Sequence, residues 1–248
     1  MTNKWLQRWR GRIKKYAERY LLRPDMENDA AFQALYKQVG SRENKFTMTP
    51  MERCYALYNA VRYVQESGIA GDFVECGVWR GGSSMLAALT LIAQNDPSRQ
   101  LYLFDTFEGM PQPTDKDVDL HGSPYQKIWK QEKELLSVSL EDVQRNIEST
   151  RYPKEKITLV KGMVEDTIPE NAPEKIALLR LDTDFYDSTY HELQHLYPRL
   201  VPGGILIIDD YGHFMGAREA TDKYFSETNQ KILLNRADYS CRLGIKPG

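Results

Sequence analysis

Four carboxylates stand in two pairs late in the chain, Asp182-Thr-Asp184 and Asp209-Asp210. Each pair follows a short apolar run, at 176–181 and at 205–208. If those runs are neighbouring strands, the acids meet at adjacent strand ends. Left bare there, they would repel one another. A hard divalent cation relieves the repulsion, since Mg²⁺ prefers carboxylate and water oxygens. The competing reading has these acids capping helices or pairing with Arg180 and Arg218. Two earlier runs end in residues of other chemistry. The run 72–76 leads into Glu75-Cys-Gly77-Val-Trp-Arg-Gly81-Gly82-Ser83, where glycines let the backbone approach a ligand and turn under a helix. Three residues separate Gly77 from Gly81, so this is not a G-x-G-x-x-G fingerprint, and no G-K-[ST] follows to make a P-loop. The run 101–104 ends in Asp105, and a carboxylate at that position can accept both hydroxyls of a ribose. Lys161-Gly162-Met163 follows 157–160 and could edge an adenine.

The elements that must hold these residues read as alternating strand and helix. Helical patterns lie at 29–39, 51–66, 83–93, 140–149 and 190–197. The five apolar runs are short and continuous, as strands buried on both faces are. The expected fold is therefore α/β, a doubly wound and mostly parallel sheet with helices on both sides. In such a sheet ligands bind beyond the carboxyl ends of the strands, where the residues above collect. The segment 109–139 breaks the pattern: it is polar, holds Pro111, Pro113 and Pro124, and reads as a lid or a mobile surface loop.

Composition excludes several classes. With 248 residues, 41% hydrophobic and 27% charged, the chain is long enough to bury its own core. A net charge of -2 lacks the basic field of a general nucleic-acid binder. The three cysteines, Cys54, Cys76 and Cys241, show no metal-ligand spacing and fit a reducing compartment. No run approaches a membrane span, and the N-terminus lacks the apolar core of a signal peptide, so a cytoplasmic protein is expected. Residues 1–23 form a separate arm, with basic residues flanking Trp5, Trp9, Ile13, Tyr16 and Tyr20 at helical spacing. Such an arm rests on an anionic surface or a partner, or packs on its own domain or a second subunit. A homo-oligomer is expected.

Val74-Glu-Cys-Gly-Val-Trp-Arg-Gly-Gly82, Phe104-Asp-Thr-Phe-Glu-Gly-Met-Pro111, Leu181-Asp-Thr-Asp184, Pro202-Gly-Gly204 and Ile208-Asp-Asp-Tyr-Gly212 occur in that order. Together they resemble the macrocin O-methyltransferase family, S-adenosylmethionine-dependent enzymes that methylate sugar hydroxyls of natural products. The match spans about 45–225. It implies a Rossmann-like methyltransferase domain over 24–248, with lid segments at about 40–50 and 109–139. It also implies roles. Thr47 and Met48 belong to a lid touching the cofactor. Glu75 and Gly77 line the methionine and sugar side of S-adenosylmethionine, Asp105 holds the ribose, and Lys161 and Gly162 lie near the adenine. Asp182, Asp209 and Asp210 match the ligands of a Mg²⁺ ion, and Asp184 the general base. Arg218 and Glu219 continue the family-like stretch without a role.

The expected reaction moves a methyl group from a sulfonium to an oxygen. An alcohol attacks poorly until its proton is removed, and a metal ion lowers its pKa. Asp184 would take that proton. A second hydroxyl could complete a chelate, so the expected acceptor is a sugar or vicinal diol. His121 and His213 are alternative bases. Two rivals share the sheet: a nicotinamide-dependent oxidoreductase, disfavoured by the glycine spacing, and a non-catalytic nucleotide-binding protein whose working part is the basic arm.

Overall fold

The computed structural model describes residues 23–40 and 45–248. The basic arm thus lies outside the described residues, apart from Arg23, as does 41–44 of the first lid segment. In chain order the elements are α1 (Pro24–Glu27), α2 (Ala30–Val39), α3 (Met51–Glu66), β1 (Asp72–Cys76), α4 (Gly82–Ala93), β2 (Leu101–Asp105), α5 (Trp129–Leu136), α6 (Leu140–Glu148), β3 (Ile157–Lys161), α7 (Val164–Thr167), β4 (Ile176–Leu181), α8 (Tyr186–Leu196), β5 (Leu200–Ile208), α9 (Met215–Glu227), β6 (Asn235–Arg236) and β7 (Arg242–Ile245).

These strands form one sheet in the order β3-β2-β1-β4-β5-β7-β6. The first five are parallel, and β7 runs antiparallel to β5. The expected α/β fold is therefore present. The side-chain period of two divides the core. Phe73, Leu103, Leu178, Ile205 and Ile207 face α2, α3 and α4, while Val74, Phe104, Leu179, Leu206 and Ile208 face α8 and α9. Glu75, Arg180 and Asp209 share the parity of the first set, and Asp210 does not.

Several elements went unread in the sequence. The strands β6 and β7 are short and carry Arg236 and Arg242, so they show neither a continuous apolar run nor clear alternation. Helix α9 carries Gly216, a poor helix former, in its first turn, and its exposed face carries charge. Helix α5 lies inside 109–139, where its apolar residues are few and none is buried.

The sheet ladder continues one residue past its strands. Gly77 N–H donates to Phe104 O, Asp182 N–H to Cys76 O and Asp209 N–H to Leu181 O, each at 2.9 Å, and Gly162 N–H donates to Asp105 O at 3.0 Å. Gly77, Gly162, Asp182 and Asp209 are therefore the first residues beyond regular structure, held in register by the neighbouring strand. No helix among the described residues is long and apolar enough to cross a membrane.

Candidate active site

A cavity opens at the carboxyl ends of β1–β5. Its walls include Thr47, Met48, Glu75, Gly77, Asp105, Gly162, Asp182, Asp184, Asp209 and Asp210. Of the expected site residues only Lys161 lies outside this lining; its ammonium is exposed and meets Glu108 at 2.7 Å.

Each wall has a local cause. Gly77 has φ +82°, and a Cβ there would lie 2.0 Å from the backbone oxygen of Asp182, so only glycine fits between β1 and β4. Asp105 accepts backbone N–H groups of Val78 at 2.6 Å, Trp79 at 3.0 Å and Phe107 at 2.8 Å. It thereby ties the glycine turn to the tip of β2. A carboxylate offers about four lone-pair sites, so roughly one remains open to a further donor. Thr47 is buried and its Oγ1 accepts from Thr49 N–H at 3.0 Å; Met48 beside it is exposed.

The buried guanidinium of Arg180 joins three strand ends. It donates to Glu75 on β1 at 2.6 Å and to Asp209 beyond β5 at 2.8 Å, and it lies 2.8 Å from Asp182 beyond its own strand. Ser84 donates to the other oxygen of Glu75. Asp209 is also met by Arg53 from α3, which bonds Asp238 at 2.6 Å. Sequence separations of 156 and 185 residues left Arg53 without any signal in the sequence.

The four late acids divide accordingly. Asp182, Asp184 and Asp210 bring carboxylate oxygens within 4.8 Å of one another, an arrangement able to hold a metal ion. Asp209 turns to the α3 face and presents its oxygens to the two arginines. Side-chain alternation separates it from Asp210, the strand ending only one residue earlier. Asp184 adopts φ +65°, and its N–H lies 3.3 Å from an Asp210 oxygen. Burial, then the charge of Asp209, raises the Asp184 carboxyl to about 7. Burial and the charges of Asp184 and Asp182 push Asp210 well up, and burial raises Asp182 despite Arg180. Beneath the loop, buried Glu192 accepts from Thr183 Oγ1 at 3.2 Å.

The histidines lie aside. His121 is exposed, and His213, its pKa lowered by burial, sits with Nδ1 3.4 Å from Tyr239 Oη; neither lines the cavity. Met110, Met163, Glu165 and Ser188 do line it. Glu165 follows the Lys161-Gly162-Met163 turn, so reading two residues further past that strand end would have reached it.

A five-strand parallel sheet closed by an antiparallel strand, with a glycine turn and acids at its tips, is a Rossmann-like fold of the kind class I O-methyltransferases share. The profile of the macrocin-O-methyltransferase (TylF) family matches residues 13–243, and the chain belongs to that family. It is an S-adenosylmethionine-dependent O-methyltransferase, and the oxidoreductase and scaffold readings fall away. It is 37% identical over 178 residues, 72% of this chain and 67% of the other, to 8-demethyl-8-(2,3-dimethoxy-alpha-L-rhamnosyl)-tetracenomycin-C 4'-O-methyltransferase of Streptomyces olivaceus. It is 36% identical over 178 residues, 72% of this chain and 69% of the other, to mycinamicin III 3''-O-methyltransferase of Micromonospora griseorubida. Among solved structures, the O-methyltransferase NovP superposes with a TM-score of 0.75 at 29% identity, covering 83% of this chain and 84% of that one.

The crowding of charge in the acid cluster has a measurable cost. The Asp184 carboxyl is raised to about 7, above its unfolded value of roughly 3.9, so its ionisation opposes folding in full above pH 7, and the cost fades as pH falls from 7 toward 4. Asparagine tolerates positive φ and has the same shape. In protein stripped of divalent ions, Asp184→Asn is expected to gain roughly 2–4 kcal/mol at pH 8, a melting rise of several degrees, less than half of that at pH 5, and little at pH 4. A lower melting temperature at pH 8, or a gain independent of pH, would contradict the repulsion.

Proposed function

We propose that this enzyme methylates a hydroxyl of a sugar, free or carried by a natural product, and that the reaction uses Mg²⁺ held at Asp182 and Asp210. The observation that carries this reading is the cluster of Asp182, Asp184 and Asp210 at one end of the cavity. Three raised carboxyls, of which only Asp182 meets an arginine, suit an oxygen-seeking divalent ion. Mg²⁺ commonly takes one or two carboxylates and keeps several waters, so two acids suffice. Sugar acceptors are supported by the names of the relatives, which act on glycosides. A vicinal diol suits a site with room for two oxygens beside one cation.

S-adenosylmethionine supplies the methyl group as a sulfonium, and a bound divalent ion would supply positive charge beside the acceptor oxygen. The chain's own residues do the rest. Seven acids and two arginines line the cavity, and this excess of negative charge favours a cationic sulfonium. Asp105, fixed by three backbone bonds, offers a lone pair to the ribose, and Gly77 and Gly162 let the backbone approach the nucleoside. Glu75 is held by Arg180 and Ser84 on the methionine side. Asp184, beside the two acids that would hold the cation, takes the acceptor proton.

Asp209, expected as a third ligand, could reach the cation only by releasing a guanidinium. Titration of Mg²⁺ into protein saturated with S-adenosylhomocysteine separates the roles. Asp182→Asn and Asp210→Asn are expected to weaken Mg²⁺ binding roughly tenfold or more, Asp209→Asn much less, with S-adenosylhomocysteine still bound in all three. Asp184→Asn keeps the metal and loses turnover. No Mg²⁺ binding to the wild type would end the metal reading. Loss with Asp209→Asn equal to that with Asp182→Asn would make Asp209 a direct ligand.

A further inference from the structure

The segment 109–139 contains one buried charged side chain, Asp117, flanked by exposed residues 114–116. Oδ2 accepts from Thr114 N–H at 2.6 Å and Thr114 Oγ1 at 2.9 Å, which closes a local turn. Oδ1 leaves the segment and accepts from Tyr186 N–H at 2.9 Å. Tyr186 opens α8, directly after the Asp182-Thr-Asp184 loop. Its N–H has no partner within the helix, and Phe185 at the cap position contributes no side-chain bond. An aspartate 69 residues away in sequence thus supplies the cap, with a charge suited to the positive end of the helix.

The next residue repeats the device on the other acid loop. Val118 O accepts from Met215 N–H at 2.9 Å, at the start of α9, which follows Asp209-Asp210 and likewise lacks a side-chain cap. Lys116 places its ammonium 3.6 Å from the centre of the Tyr186 ring. The three elements meet at Gly216, where a Cβ would lie 2.9 Å from Asp117 Oδ1, 3.1 Å from Lys116 O and 3.1 Å from Tyr186 N.

We propose that Asp117 is a positioning residue that latches the 109–139 segment onto the helix starts behind both acid loops, so that the cavity wall this segment forms and the acid cluster are ordered as one unit. A lid fastened only at its own ends could open while Asp184 and Asp210 stayed in place. Here opening 117–118 uncaps both helices, and the loops before them lose their anchor. The latch stands on contacts within the chain; its consequence for Mg²⁺ rests on the proposed cation site.

Hydrogen exchange read by mass spectrometry tests the latch on the full chain without metal. In Asp117→Ala, amides of 117–125 and the opening turns of α8 and α9 are expected to exchange roughly five- to tenfold faster together, the effect of losing a charged cap. Asp117→Asn keeps the acceptor for Tyr186 and is expected to restore most of the protection at α8. Gly216→Ala is an independent probe: alanine favours a helix interior, so without a latch it slows exchange in α9, whereas with one its Cβ displaces Asp117 and speeds exchange in all three segments. If only 117–125 loosens in Asp117→Ala, or if Gly216→Ala protects, the coupling is wrong. Mg²⁺ titration then reads the consequence: binding should weaken in Asp117→Ala and recover in Asp117→Asn while S-adenosylhomocysteine affinity holds. Unchanged Mg²⁺ affinity in Asp117→Ala overturns the link to the acid cluster. A wild type that binds no Mg²⁺ removes the cation site but leaves the exchange result to decide the latch.

Discussion

One guanidinium, buried in the middle of the sheet, sets the geometry of everything at its carboxyl edge. Arg180 occupies the central strand β4, in register with Glu75 on β1, and bonds acids from three strand ends. A buried arginine is costly unless each donor finds an acceptor, and its flat fork can serve several carboxylates in one plane. The same contact therefore holds β1, β4 and β5 in register and fixes which acids remain free. Glu75 and Asp209 are committed to it. Asp182 is shared. Asp184 and Asp210 are left outside the arginine's reach.

That division gives the cavity two electrostatic zones. On the α3 face, Arg180 and Arg53 answer Glu75, Asp209 and Asp238. On the other, Asp182, Asp184 and Asp210 crowd together with raised carboxyls. In the first zone every acid meets an arginine, and in the second only Asp182 does, through the edge of Arg180. The backbone contributes strain in the same place, since Trp79 and Asp184 both hold positive φ along the cavity wall.

The fold was legible because β1–β5 are buried on both faces and read as apolar runs with little else to be. The strand-end acids and the Gly77 turn followed from where a parallel sheet binds ligands. The antiparallel β6–β7 edge was hidden by polar residues, and α9 by Gly216, whose small size answers a tertiary contact rather than helix propensity. Among the site residues, Asp182 and Asp210 converge as the strand order demands. The partnership of Asp209 with Arg53 could not be read, because it joins α3 to β5 across most of the chain. Asp117 was equally silent: an aspartate in a polar proline-containing loop looks solvated until the helix start it caps is known.

The account stands on Arg180, and the pH dependence of unfolding in Arg180→Met tests it most directly. Methionine fills similar space but leaves Glu75, Asp182 and Asp209 without a counter-charge. The folded pKa values of Glu75 and Asp182, already raised by burial, then rise further above the unfolded ones, so the variant's loss of stability grows as pH climbs through that interval and shrinks in acid. The expected deficit relative to the wild type is about 3–5 kcal/mol near pH 8, falling steeply toward pH 4. A deficit of less than about 1 kcal/mol that is flat across this range would show that the arginine is not what orders these acids.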